Sequence, residues 1–229
     1  MTNYVVATIK PWNIEAFRRN STALSGRWFL IDSPEDLTAQ MLAHLRPRYV
    51  FFPHWSWRVP AEILSSFECV CFHMTDVPFG RGGSPLQNLI VRGFYETKLT
   101  ALRMVDEMDA GPVYLKKPLS LDGRAEEIYV RAADLVWEMI GEMCRTEPVP
   151  KPQHGEPVVF PRRRPDQSEL PSEADASALY DFIRMLDAPT YPKATIRWGQ
   201  LRIEFDRAVL NGDVVEARAI ISSEARDSE

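Results

Sequence analysis

Residues 49–73 read YVFFPHWSWRVPAEILSSFECVCFH, and the rhythm of that stretch is strand, helix, strand. Tyr49 to Pro53 and Cys69 to His73 are short runs of apolar side chains bounded by turn residues, as buried strands are. Between them, Pro60 to Phe67 has helical spacing and opens on proline, which suits a first turn that needs no N–H donor. Two strands joined through a helix form a crossover, and crossovers build parallel sheets. The same alternation runs outward in both directions. Upstream, strands Tyr4 to Ile9 and Trp28 to Asp32 alternate with helices Pro11 to Arg19 and Pro34 to Leu45, the second capped by Ser33. Downstream come a helix at Ser84 to Arg92, strands at Leu99 to Val105 and Pro112 to Leu119, and a long amphipathic helix at Ala125 to Arg145. The prediction for residues 1–146 is an α/β domain, a Rossmann-like core with a mostly parallel sheet.

Composition shifts at Glu147. The run EPVPKPQHGEPVVFPRRRPDQSELPSE is dense in proline and poor in periodic apolar positions, so residues 147–174 are expected as an extended strap. Residues 175–229 then suggest a small subdomain of one helix, Ala176 to Leu186, and a β-hairpin array. Its strands are Ala194 to Trp198, Leu201 to Leu210 and Val214 to Ser222, with turns at Trp198-Gly199-Gln200 and Asn211-Gly212-Asp213. The last strands offer an edge that could pair two protomers into a homodimer.

The 229 residues carry a net charge of −5 and no long basic run, which argues against gripping a nucleic-acid backbone. No apolar stretch reaches the roughly 18 residues a membrane span needs, and the N-terminus lacks the pattern of a secretory signal. An odd cysteine count of 3 without a framework fits a reducing compartment, so a cytoplasmic protein is expected.

Ligands of open parallel sheets bind where strands end and connections diverge. Two loops at such ends are rich in chemistry. His54-Trp55-Ser56-Trp57-Arg58 combines aromatic faces with polar groups, which suits a flat heterocycle, although both tryptophans could equally cap the core. The other loop follows His73, where the strand leaves the sheet, and contains the glycine-rich turn PFGRGGSP of residues 78–85. That turn matches no nucleotide-binding signature and is weak evidence for a phosphate cradle. The spacing Cys69-x-Cys71-x-His73 lines one strand face, but further metal ligands are lacking at a familiar spacing, so no metal is expected. Among the acids at 106–109, one at the same sheet edge can face His73.

Taken together, these segments resemble the folate-dependent formyltransferase family, which has N-x-H-x-S-x-L-P, then R-G-x-x-P, then D-x-G. The matching residues are Cys71 to Pro78, Arg81-Gly82-Gly83-Ser84-Pro85 and Asp109-Ala110-Gly111. The match covers residues 50 to 120 well, and Tyr180 to Arg184 with Tyr191 to Ala194 resembles a later family segment. Within the family, FFPHWSWRVP and FHMTDVPFGRGGSPLQNLIVRG look like sugar N-formyltransferases of pseudaminic-acid and related nonulosonic-acid pathways. Members of that group often carry the label methionyl-tRNA formyltransferase.

The resemblance implies 10-formyltetrahydrofolate as the co-substrate, no metal, and a nucleotide-linked amino sugar as the acceptor. Methionyl-tRNA is the alternative acceptor, and a non-catalytic folate-binding module the further one. It makes His73 the donor to the formyl oxygen and Asp109 the proton acceptor. His54, Trp55, Trp57, Arg58 and Val59, with Val105, Asp106, Glu107 and Met108, would bind the folate. Arg81, Gly82, Gly83, Ser84 and Arg163 would bind the acceptor. One departure stands out, because the family's catalytic asparagine is Cys71 here and a thiol is a poor substitute for an amide donor. Asn88, Gln87, Thr75 and a backbone N–H are the candidates to replace it, unless His73 and Asp109 carry more of the stabilisation.

Overall fold

Short apolar runs become the buried strands of one sheet because only a strand covered on both faces can place every side chain away from water. The computed structural model describes residues 1–223. In chain order the first strands are β1 (Asn3–Ala7), β2 (Arg27–Ile31), β3 (Tyr49–Pro53) and β4 (Cys69–His73). Then β5 (Phe79–Gly82) leaves the sheet, and β6 (Glu96–Arg103) and β7 (Val113–Ser120) rejoin it. The sheet order is β2-β1-β3-β4-β6-β7, with Val5, Val50 and Val70 wholly excluded from solvent. Helices α1 (Pro11–Asn20), α2 (Ala39–Leu45), α3 (Ala61–Ser66), α4 (Pro85–Ile90) and α5 (Ala125–Thr146) fill the connections. None of the helices among the described residues is long and apolar enough to cross a membrane.

The α/β class and the mostly parallel sheet are as expected. Pairings β1–β2, β1–β3 and β3–β4 are parallel. However, β4 and β6 are antiparallel, with His73 opposite Thr100 and Val70 opposite Arg103. The loop after β6 therefore starts beside the opposite end of β4 from His73. Expecting the 106–109 acids at the same sheet edge as His73 was wrong in topology. Of these acids Asp109 reaches His73, and it does so because the loop turns back.

A second difference lies at residues 34–45. The single predicted helix divides into a 3-10 turn at Pro34–Asp36 and α2. Thr38, not Ser33, caps α2, accepting the Met41 N–H at 3.2 Å, a bond typically worth about 1 kcal/mol. The Ser33 hydroxyl donates instead to the Glu35 carboxylate.

The chain divides into two compact units. The first holds Met1–Pro85, Glu96–Leu119 and Tyr129–Phe160. Within it the part of the expected 147–174 strap up to Phe160 carries β8 (Val158–Phe160), paired in parallel with β5. The rest of the strap falls in the second unit and includes a 3-10 turn at Pro165–Ser168. The second unit gathers Leu86–Tyr95, Ser120–Ile128 and the chain from Pro161. It contains α6 (Ala176–Arg184) and an antiparallel sheet of β9 (Ala194–Trp198), β10 (Leu201–Asn211) and β11 (Val214–Ser223), with β10 central. Buried charges organise it. Arg184 donates to the carbonyls of Leu121 and Gly123 at 2.6 and 2.9 Å. The Asp187 carboxylate receives Lys193 Nζ at 2.6 Å, the Arg207 N–H at 2.7 Å and Arg124 Nη1 at 3.4 Å. These bonds explain why a segment so distant in sequence, Ser120–Ile128, belongs here.

Candidate active site

His73 ends β4 with only 8% of its surface exposed. Its Nδ1 lies 3.5 Å from Asp109 Oδ2, and its Nε2 lies 2.7 Å from the Gly80 carbonyl oxygen. A carbonyl can only accept, so Nε2 carries a hydrogen and Nδ1 is the nitrogen turned to the carboxylate. Asp109 Oδ2 also accepts the Gly82 N–H at 2.9 Å. The two residues paired from the sequence thus meet, bridged by the first turn of the glycine-rich segment.

Backbone geometry holds this meeting in place. Asp109 has φ +53°, a left-handed conformation uncommon for a residue with a side chain, and one that concentrates at functional sites. The turn can form only because residue 111 is glycine, since a Cβ there would lie 1.7 Å from the Arg103 carbonyl oxygen. Gly80 is similarly constrained. Its φ is +77°, and a Cβ would meet Thr75 Cγ2 at 2.6 Å. Thr75 is fully buried and donates its hydroxyl to the same Gly80 oxygen at 3.2 Å. One carbonyl therefore receives both His73 and Thr75.

Cys71 shares the strand face of His73, two residues before it. Burial pushes its thiol well above the ordinary range, and the Asp109 charge adds to the effect, so it stays a thiol. The other two side-chain substitutes for the family asparagine have amides engaged inside the second unit. Gln87 Nε2 donates to the Met185 oxygen at 3.0 Å and Asn88 Nδ2 to the Pro161 oxygen at 2.9 Å. Asn88 Oδ1 in turn accepts Arg92 Nη1 at 2.9 Å. All three side-chain donors, Thr75 included, thus have backbone acceptors of their own.

Arg81 was expected to contact the acceptor. Its side chain is 13% exposed, and its Nε and Nη2 donate to Gln153 Oε1 at 3.1 and 2.9 Å, with Glu107 Oε1 3.3 Å from Nη1. The Gly83 N–H donates to the Phe160 oxygen at 3.1 Å, and Ser84 sits at φ +48° just before α4. In the second unit, the Arg163 guanidinium stacks 5.4 Å from the Phe182 ring, donates to the Gln167 carbonyl, and is held below its usual pKa by burial. Sequence reasoning missed Gln153 and the Gly80 carbonyl. The only signal for the first was an amide side chain inside a proline-rich strap, and a carbonyl leaves no signal at all.

The loop expected to hold a flat ring divides. His54 packs 5.5 Å from Trp12 and 5.0 Å from Tyr129, where burial, with Lys10 adding, pushes its pKa down to about 3. Val59 is buried in the core cluster, and Trp55 packs against that cluster. Trp57 is half-exposed, 5.3 Å from Trp55, and Arg58 pairs with Asp106 at 2.7 Å in solvent. Beside Val105 and Asp106 lies a cavity of about 450 Å³, lined also by Ala61, Leu64, Met104 and Pro112. Leu64 and Met104 on the cavity side, and Trp55 and Cys71, all pack on one core cluster. Met108 is exposed. The Trp55 Nε1 hydrogen is buried with no acceptor among the described residues. Among the described residues no group of His, Cys, Asp and Glu is placed to hold a metal ion.

Comparison with known proteins finds formyltransferases. A model described as the C-terminal domain of methionyl-tRNA formyltransferase matches residues 165–222. The structure of a methionyl-tRNA formyltransferase from Clostridium thermocellum is 42% identical, with TM-score 0.95, covering 98% of this chain and 100% of that one. The methionyl-tRNA formyltransferase of Thermodesulfovibrio yellowstonii is 26% identical over 166 residues, 69% of this chain and 53% of that one. The chain thus spans about half the length of the curated relatives it matches. A sugar N-formyltransferase from Shewanella shares the fold, with TM-score 0.64 and 13% identity over 98% of this chain and 99% of that one.

Proposed function

This chain belongs to the formyltransferase family, and from that premise we propose that it moves a formyl group from 10-formyltetrahydrofolate to a primary amine. The observation that carries the reading is the Asp109 carboxylate held 3.5 Å from His73 Nδ1 on a left-handed backbone. An amine attacks only when neutral, and Asp109 is the group to take its proton, directly or through a water. As the new C–N bond forms, the formyl oxygen gains negative charge. A donor aimed at that oxygen is typically worth about 2.7–4 kcal/mol. His73 is that donor, and its Nε2 hydrogen, held on the Gly80 oxygen in this structure, has to turn to the substrate. Return of the proton from Asp109 to the departing nitrogen completes the balance. The cavity beside Val105 and Asp106 supports placing the folate there.

For the acceptor, the name carried by the relative at 42% identity favours the amine of methionyl-tRNA. A nucleotide-linked amino sugar is the second reading, favoured by the net charge of −5, which suits a small acceptor better than a polyanion. Mass spectrometry after incubation with 10-formyltetrahydrofolate, charged methionyl-tRNA and a panel of nucleotide-linked amino sugars tests both. We expect one acceptor to gain one formyl group, at a rate roughly 100-fold or more lower in His73→Ala and Asp109→Ala. No formylated product from any acceptor would remove the enzymatic reading.

A further inference from the structure

Gln153 belongs to the strap, outside the segments whose resemblance pointed to formyl transfer. Every hydrogen-bonding position of its amide is filled. Nε2 donates to the Asp109 oxygen at 2.7 Å and to the Gly111 oxygen at 2.8 Å. Oε1 accepts Arg81 Nε at 3.1 Å and Nη2 at 2.9 Å. An amide offers two hydrogens and two lone pairs, so this one is saturated by a single pair of turns. The strap is delivered there by a backbone bridge two residues earlier, where Lys151 and Val113 exchange N–H···O bonds of 2.7 and 2.8 Å. Both carbonyls that Gln153 grips flank Ala110, at the end of the 107–110 turn whose third residue, Asp109, is left-handed.

We propose that Gln153 is a positioning residue for Asp109. Its two N–H groups pin the 109–111 segment at the exit of the turn and keep Asp109 in its left-handed conformation. That conformation aims the carboxylate at His73 and at the Gly82 N–H. The amide oxygen meanwhile fixes Arg81, on β5, to the same clamp, so the two sides of the His73–Asp109 pair are held by one side chain. A role in turnover rests on the formyl-transfer reading, while the clamp itself does not.

Two variants separate these. Gln153→Leu removes both halves of the clamp, whereas Gln153→Glu keeps the acceptor for Arg81 and loses the donors. Amide hydrogen exchange followed by NMR reads the Gly82 N–H, which is bound to the Asp109 carboxylate, against the core amides of Val5 and Val50. Gly82 should exchange about tenfold or more faster in both variants with the core amides unchanged. In the formylation assay kcat should fall roughly 10–100-fold, with KM for donor and acceptor within about threefold of wild type. Unchanged Gly82 exchange in both variants overturns the clamp whatever the chain catalyses. Loss of protection in Gln153→Leu alone assigns the effect to Arg81 and also overturns it. Faster exchange with unchanged kcat overturns the positioning role. A wild type inactive with every acceptor, but showing the exchange effect, sinks the formyl-transfer reading and leaves the clamp standing.

Discussion

Gly111 and Asp109 show how much of this site rests on single positions. The turn brings residue 111 so close to the Arg103 carbonyl that a methyl group would have to displace backbone, which no rotamer change can relieve. Gly111→Ala should cost about 2–3 kcal/mol or more, read as a lower urea midpoint with an unchanged m value. Because the displaced turn carries Asp109, formylation should fall in the same variant under conditions where it remains folded. Cys71 makes the complementary point. Burial, and after it the charge of its neighbour Asp109, keeps it protonated, so it lies beside His73 and Asp109 as an apolar wall with a weak donor.

Among the secondary-structure elements, the parallel strands are tied together at their far ends by charge. Arg48, just before β3, binds Glu68, just before β4, at 2.5 Å, and also Glu147 after α5 at 3.2 Å. The Tyr114 hydroxyl, on β7, donates to Glu68 at 2.6 Å. Burial works to raise the Glu68 pKa, but the hydrogen bonds from Tyr114 and Arg48 outweigh it and hold the carboxyl below its ordinary value. A depressed folded-state pKa means that the stabilisation is present above the unfolded value and is lost as pH falls through the folded one. The urea midpoint should therefore drop as pH falls below the ordinary glutamate range. Glu68→Gln should lower the midpoint at neutral pH and shrink that acid dependence. An equally steep acid limb in Glu68→Gln would show that other carboxylates control it.

For the whole molecule, net charge separates the two acceptors. A chain with net charge −5 that binds methionyl-tRNA has to do so through local basic groups, each releasing counterions from the polyanion. With that acceptor, KM should climb steeply with potassium chloride between about 50 and 200 mM. A nucleotide-linked sugar has few phosphates, and its KM should climb little over the same range. Kinetics at three salt concentrations distinguish the readings on the intact chain. Arg163 and Arg81 are poor candidates for such contacts, since one stacks on Phe182 and the other is committed to Gln153 and Glu107.

Hydrophobic periodicity placed most strands and helices of the α/β core, although it read residues 34–45 as one helix, and proline density and turn residues marked the strap and the hairpins. Periodicity records which face of an element meets water, and that property is local. The same locality made His73, Asp109 and the glycines between them legible as a motif. Strand direction was not legible, because an apolar run looks the same in either orientation, and β6 proved antiparallel to β4. Nor were the partners of polar groups. The commitment of Asn88, Gln87 and Thr75 to backbone carbonyls, the packing of His54 against Trp12 and Tyr129, and the grip of Gln153 on Asp109 all join residues distant in sequence or use main-chain atoms. Every residue carries the same carbonyl, so only the tertiary structure decides which one a side chain finds.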